Sequence, residues 1–100
     1  MNKKRKQRAV AIIENQLQKI REENEAMYEK MDLEADDPVR DCSVKEKDDH
    51  VLLTYDGAGY EYFSMYCELE TYRQNLISDL EDAGFLVEDR NNWSLTIWEK

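Results

Sequence analysis

The sequence has few of the residues that interrupt or cross-link a chain. Its 100 residues include only three glycines, one proline and two cysteines. So few helix breakers predict long regular elements. Two cysteines outside any Cys-x-x-Cys pattern exclude a disulfide scaffold and favour the reducing cytoplasm. No apolar run approaches the length of a membrane span, and the one near the start is too short for a signal peptide. We therefore expect a cytoplasmic protein without membrane contact.

Residues that carry out catalysis are also scarce. The chain has a single histidine, His50, which follows Asp49. A histidine beside an aspartate is a general-base arrangement when a nucleophile stands near it. No sequence spacing connects this pair to a serine or a cysteine. We therefore expect a protein that is not an enzyme and has no catalytic residue.

Metal and cofactor motifs are incomplete. Asp32, Glu34 and Asp36 follow the first three positions of a calcium loop, but the glycine and the final glutamate that the loop requires are absent. The glycines of Gly57–Gly59 lack the third glycine of a dinucleotide-binding fingerprint. No cluster of histidine and cysteine has zinc-binding spacing. The sequence predicts no metal and no cofactor.

Charge is distributed unevenly. The chain has 23 acidic and 14 basic residues, a net charge of −9, and five of the bases precede the first acid. An acidic body repels nucleic acid and suits a partner protein with a basic surface. The basic start is the one segment suited to phosphates. This basic arm consists of Lys3, Lys4, Arg5, Lys6 and Arg8.

A heptad repeat is the clearest pattern in the chain. Apolar positions alternate in steps of three and four, which is typical of a helix that pairs with another helix. Asn24 falls at a core position of the repeat, where a single asparagine is tolerated mainly in dimers. We therefore predict a homodimer. Packing against the chain's own domain and pairing with a foreign helix stay open as alternatives. The heptad seam consists of Val10, Ile13, Leu17, Ile20, Asn24, Met27 and Met31.

Two further features bear on the dimer. The positions that flank the seam form no ion pairs in a parallel arrangement, so the relative direction of the two helices is left open. If the seam faces a second copy, Leu17→Asp should dissociate the dimer without unfolding the rest of the domain.

The remaining pattern predicts an α+β fold. A long N-terminal helix carries the heptad seam, and a small, mostly antiparallel sheet of three or four strands is packed by a second long helix. The expected order is α-β-(β)-α-β-β. We place a weak edge strand within 39–47, strands at 51–55, 85–87 and 93–98, and the second helix at 59–83. The chain divides into a basic N-terminal arm (1–8), an association helix (9–31), an acidic linker (32–41) and an α+β body (42–100).

The second helix adds a row of carboxylates that rigid packing would present to a partner. We therefore expect a dimeric regulator or inhibitor that binds a basic partner protein, for which nucleic-acid mimicry by carboxylates is one mode. A small acidic chain without a catalytic constellation also fits an inhibitor that a virus encodes. The alternative is a nucleic-acid-binding dimer that uses the basic arm. The predicted acidic partner surface consists of Glu61, Glu68, Glu70, Asp79, Glu81 and Asp82.

Overall fold

The computed structural model describes residues 1–66 and 70–100 and has the α+β architecture that the sequence predicts. A short 3₁₀ turn, Gly57–Gly59, precedes the second helical segment. The helices are α1 (Lys3–Lys30), α2 (Tyr60–Phe63) and α3 (Glu70–Asp82), and the strands are β1 (Cys42–Glu46), β2 (Val51–Tyr55), β3 (Phe85–Asn91) and β4 (Ser94–Glu99).

The four strands form one antiparallel sheet in the order β1-β2-β4-β3. Strand β4 lies between β2 and β3 and is antiparallel to both. Strands β2 and β3 therefore run in the same direction, so the chain between them has to cross the sheet. That crossing contains α2 and α3. The predicted edge strand is β1.

All three helices pack on the same face of the sheet. Val51, Leu53 and Tyr55 of β2 are fully buried and belong to one core with residues of α1, α2 and α3. Alternate strand residues such as Leu52 and Thr96 point to the opposite face, which no described helix covers. We call that side the helix-free face. The α1 residues in the core are Ala9, Ile12, Ile13, Gln16, Leu17 and Ile20.

The first helix begins earlier than the sequence analysis placed it. Asn2 is the N-cap, and its side-chain oxygen accepts a hydrogen bond from the backbone N–H of Arg5 at 2.9 Å. Asparagine is among the best N-cap residues because it satisfies an N–H group that the helix leaves unpaired. The basic arm therefore forms the first turns of α1.

The second helix is shorter than predicted, because the helical path is interrupted at Ser64. Ser64 has extended backbone angles, and its hydroxyl oxygen accepts a hydrogen bond from the N–H of Tyr66 at 3.2 Å. Serine side chains compete with the helix backbone in this way. The helical spacing predicts a buried stripe on the second helix that includes Met65 and Leu69, but Met65 is exposed as a result of the interruption. Leu69 of the same predicted stripe lies outside the described residues.

The final hairpin turns later than predicted. We expected a turn at 89–92, but β3 continues to Asn91 and the two-residue turn is Asn92 and Trp93. The Asn91 side-chain oxygen accepts hydrogen bonds from the Trp93 N–H at 3.1 Å and the Ser94 hydroxyl at 2.8 Å. Asparagine favours such turns. Trp93 therefore lies exposed in the turn and does not share the inner face with Leu95.

Candidate functional site

The first half of the heptad seam lies in the core of the single chain. Ile13 and Ile20 are buried, Leu17 is 2% exposed, and Val10 packs at the edge of the same core. Over this stretch the helix packs on its own domain, which is the arrangement that the sequence analysis left open as an alternative to the dimer. A charged residue at Leu17 would therefore unfold the domain, which differs from the simple dissociation expected from the sequence.

Asn24 holds the linker in place within the chain. Its side-chain amide donates a hydrogen bond to the carbonyl oxygen of Asp36 at 2.9 Å. One turn earlier, the Arg21 guanidinium donates to the Asp37 carboxylate at 3.1 Å. These contacts fold the linker back along the second half of α1. Asn24 thus satisfies its polar group without a second copy of the chain.

The end of α1 is fixed by a Schellman motif. The N–H of Leu33 donates to the carbonyl oxygen of Tyr28 at 3.0 Å, and that of Asp32 donates to Glu29 at 3.1 Å. Asp32 has φ of 55°, the left-handed conformation that this motif requires and that glycine usually adopts. The motif sets the direction in which the linker leaves the helix.

The second half of the seam is exposed. Met27 is 51% exposed and Met31 is 50% exposed, although both continue the helical stripe that carries Ile13 and Ile20 into the core. A helix of 28 residues is about 42 Å long. The longest dimension of the molecule is 45 Å, so α1 runs along its full length. The stripe therefore continues beyond the part of the body that can cover it.

Helices α1 and α3 lie antiparallel to each other. Near the start of α1, Arg5 donates a hydrogen bond to the carbonyl oxygen of Ala83, just after α3. In the middle, the Gln16 amide donates to the Asp79 carboxylate at 2.5 Å. Towards the other end, the Tyr72 hydroxyl donates to Glu23. The second half of α1 therefore lies beside α2 and the start of α3.

This arrangement divides the predicted acidic partner surface between two ends of the molecule. Asp79, Glu81 and Asp82 lie near the basic arm, and a cleft of about 370 Å³ is lined by Arg8 together with Asp79 and Asp82. Glu61 and Glu70 lie at the opposite end. Glu68 lies outside the described residues. The five described carboxylates of this set therefore do not form one row.

The carboxylates at the far end join those of α1 and the linker to form what we call the acidic pole. Lys30 is the only basic residue among residues 22–37, which contain eight acidic ones. Burial raises the pKa of Tyr62, and the nearby Tyr28, Glu23 and Glu61 raise it further. The acidic pole consists of Glu22, Glu23, Glu25, Glu29, Asp32, Glu34, Glu61 and Glu70.

One residue of the basic arm has a structural role. The Arg5 guanidinium pairs with the Glu99 carboxylate at 3.2 Å, bonds the Ala83 carbonyl at 2.7 Å and lies 4.2 Å from the ring centre of Phe85. The other four bases of the arm form no ion pair with the described residues. Contact of the arm with nucleic acid would therefore depend on Lys3, Lys4, Lys6 and Arg8.

Among the described residues, the single histidine and Cys42 do not meet. The His50 ring nitrogen Nδ1 lies 2.7 Å from the Asp49 carboxylate, and its ring centre lies 4.6 Å from that of Trp98. Cys42 belongs to the opposite, inner side of the sheet, and burial raises the pKa of its thiol to about 12. Within residues 1–66 and 70–100, no three histidine, cysteine or acidic side chains are grouped to hold a metal ion.

The helix-free face carries a groove that sequence reasoning missed. The groove has a volume of about 510 Å³. The two central strands line the groove with Leu52, Thr96 and Trp98. At the two edges of the sheet it is lined by Lys47, which follows β1, and by Arg90 of β3. These residues are far apart in the sequence, and only the strand order β1-β2-β4-β3 brings them together.

Comparison of the chain with protein-family models, with curated proteins and with solved structures found no match. In the part of the chain that the structure describes, no helix combines the length and the apolar character needed to cross a membrane.

Proposed function

We propose that this chain is a non-enzymatic, cytoplasmic interaction protein that regulates or inhibits a partner by binding a basic segment of it at the acidic pole. The observation that carries the proposal is the exposure of Met27 and Met31 at an end of α1 whose exposed charged residues are mostly carboxylates. The first half of α1 is fixed in the core, and the second half is left to contact another molecule.

The two methionines supply the apolar part of such an interface. They lie four residues apart and so present their side chains on one side of α1. Methionine is flexible and polarisable, and surfaces that bind amphipathic helices use it for that reason. Glu22, Glu25 and Glu29 lie on the opposite side of α1 from the methionines, so their attraction for a basic partner acts at longer range and speeds its approach. A basic amphipathic helix combines both complementary properties.

Nucleic-acid mimicry remains one mode of this proposed function. Glu22, Glu25 and Glu29 are all exposed, and their spacing of three and four residues places them on one side of α1. Along the helix axis their backbone positions are separated by roughly 4.5 and 6 Å. A regular series of negative charges on a rigid helix supports the binding of a protein groove that normally holds a phosphate backbone.

The homodimer stays a prediction. Of the seam, Met27 and Met31 are the large apolar side chains that remain exposed for a second copy. A symmetric pairing through them brings two acidic poles together, which costs electrostatic free energy. A basic partner avoids that cost, so we place the foreign partner first.

The test compares two variants with equal charge change. One carries Glu22→Gln, Glu25→Gln and Glu29→Gln in the acidic pole, and the control carries Glu14→Gln, Glu81→Gln and Asp82→Asn at the other end. Proteins captured from the native host are identified, and the affinity of the purified partner is then measured for each variant. We expect the first variant to bind about tenfold more weakly and the control to bind nearly as well as the unmodified chain. If both variants bind the partner with equally reduced affinity, binding is not localised at the acidic pole and the proposal is contradicted.

A further inference from the structure

Three of the basic residues of the body lie on the helix-free face. After residue 41 the chain has five basic residues, Lys45, Lys47, Arg73, Arg90 and Lys100. Arg73 is on α3 and pairs with Asp89 at 2.7 Å. Lys45 lies beside Leu52 in the sheet, while Lys47 and Arg90 line the groove next to Leu52. Lys45, Lys47 and Arg90 therefore share this face with the Glu88 carboxylate.

Neither Lys47 nor Arg90 forms an ion pair with any of the described residues. Both are exposed, and they lie on either side of the sheet's central strands. Two cations without a partner at opposite ends of one groove are suited to an anion that spans it.

The middle of the groove is aromatic and apolar. Trp98 lies there with its ring against His50, and Leu52 and Thr96 are its neighbours on β2 and β4. A partly exposed indole ring on a sheet is a surface on which a flat ring can stack. Stacking on an aromatic side chain together with lysine and arginine contacts to phosphate is how proteins hold single-stranded nucleic acid.

We propose that this groove binds a nucleotide, either free or within a single strand, with the base stacked on Trp98 and phosphates held by Lys47 and Arg90. The two acidic residues in the groove fit this ligand. Asp89 is paired with Arg73, and the Glu88 carboxylate is an acceptor for an amino or hydroxyl group of the ligand. The carboxylates of the acidic pole belong to the helices and the linker, on another part of the molecule.

The test is a fluorescence titration, because the chain has two tryptophans and only Trp98 lies in the groove. The full chain is titrated with thymidine 3′,5′-bisphosphate, whose two phosphates flank one base, and with a five-residue thymidine strand at low salt. We expect quenching that persists in Trp93→Phe and is lost in Trp98→Leu. Tighter binding of the strand identifies a single strand as the ligand, and equal binding per nucleotide identifies a free nucleotide; both support the groove.

A second pair of variants tests the groove even if Trp98→Leu fails to fold. Lys47→Gln with Arg90→Gln should weaken binding about tenfold and reduce its salt dependence by the two lost phosphate contacts. The matched pair Lys3→Gln with Lys4→Gln, in the basic arm, should bind as the unmodified chain does. Absence of quenching up to millimolar ligand would overturn the proposal, and so would loss of binding in the arm variant alone.

Discussion

Gly59 lies where the chain passes from β2 into α2, and its lack of a side chain leaves room for Cys42. A Cβ atom at this position would lie 2.5 Å from the Cys42 sulfur. The φ of Gly59 is −62°, which any residue adopts, so the constraint is space alone. Because an extra methyl group in a packed site forces its neighbours apart, we expect Gly59→Ala to cost about 1–3 kcal/mol in the free energy of unfolding.

Urea denaturation measures that cost, and Cys42→Ala supplies the control. In the Cys42→Ala background, Gly59→Ala should cost much less, since the sulfur is absent. An equal cost in both backgrounds would show that the contact with Cys42 is not the reason for glycine at this position.

Asp32 is in the left-handed conformation at the end of α1, with φ of 55°. Glycine adopts this conformation without the steric cost that other residues bear. We therefore expect Asp32→Gly to raise the free energy of unfolding by roughly 0.5–1 kcal/mol. Thermal unfolding is the measurement. Asp32→Ala, which removes the same charge and keeps the strain, should give no such gain, and an equal gain in both would attribute the effect to charge.

At the scale of elements, the two halves of α1 differ in burial. Leu17 is packed in the core and Met27 is exposed. Truncation of a buried leucine to alanine typically costs about 2–5 kcal/mol, whereas an exposed methionine loses little. We expect Leu17→Ala to destabilise the domain by that amount and Met27→Ala to change its stability by less than about 0.5 kcal/mol. Urea unfolding of both variants checks this, and comparable costs would mean that the seam is buried along its whole length.

The contact between α1 and α3 predicts a pH dependence. Tyr72 donates a hydrogen bond to Glu23, which raises the pKa of Tyr72 to about 12 from its ordinary value of 10.0. Because the folded state holds the proton more tightly, this contact contributes its full stability below pH 10 and loses it between about pH 10 and 12. Tyr72→Phe should be less stable by about 1 kcal/mol at pH 8 and should approach the unmodified chain as the pH rises through that range. A stability difference that stays constant up to pH 12 would contradict the hydrogen bond.

Local patterns were sufficient to predict several elements. Val51–Tyr55 is a run of residues that favour strands, bounded by turn residues, and β2 has those bounds. The periodicity of α1 predicted a long helix with one apolar side. Where local side-chain hydrogen bonds decide a boundary, as at Ser64 and Asn91, periodicity alone predicted the wrong end.

The candidate sites depend on tertiary structure more than the individual helices and strands do. Sequence spacing cannot show that the sheet covers the seam only as far as Ile20, or that Asn24 bonds the linker. The acidic pole is formed by residues of α1, the linker, α2 and α3. The groove is formed by residues of β2, β3 and β4 and by Lys47, which follows β1. Both sites depend on which elements become neighbours, which the residues of each element do not specify by themselves.

For the whole molecule, the separation of charges predicts opposite effects of salt on two kinds of association. Pairing of two acidic poles is repulsive, so screening should strengthen self-association. Binding of a basic segment at the same pole is attractive, so screening should weaken it. Sedimentation at 50 and 500 mM salt checks the first effect, and titration with the partner checks the second. A dimer that dissociates as salt rises would mean that the basic arm of one copy binds the acidic pole of another.

Helix α1 packs in the core up to about residue 20, and we propose that it binds a partner beyond that residue. Amide hydrogen exchange along α1, with and without a synthetic basic amphipathic helix, tests this most directly. In the free protein, we expect strong protection of residues 9–20 and weaker protection of residues 24–31. Addition of the peptide should slow exchange in residues 24–33 and leave residues 76–82 of α3 unchanged. Slower exchange confined to α3, or no change with a saturating peptide concentration, would contradict the claim.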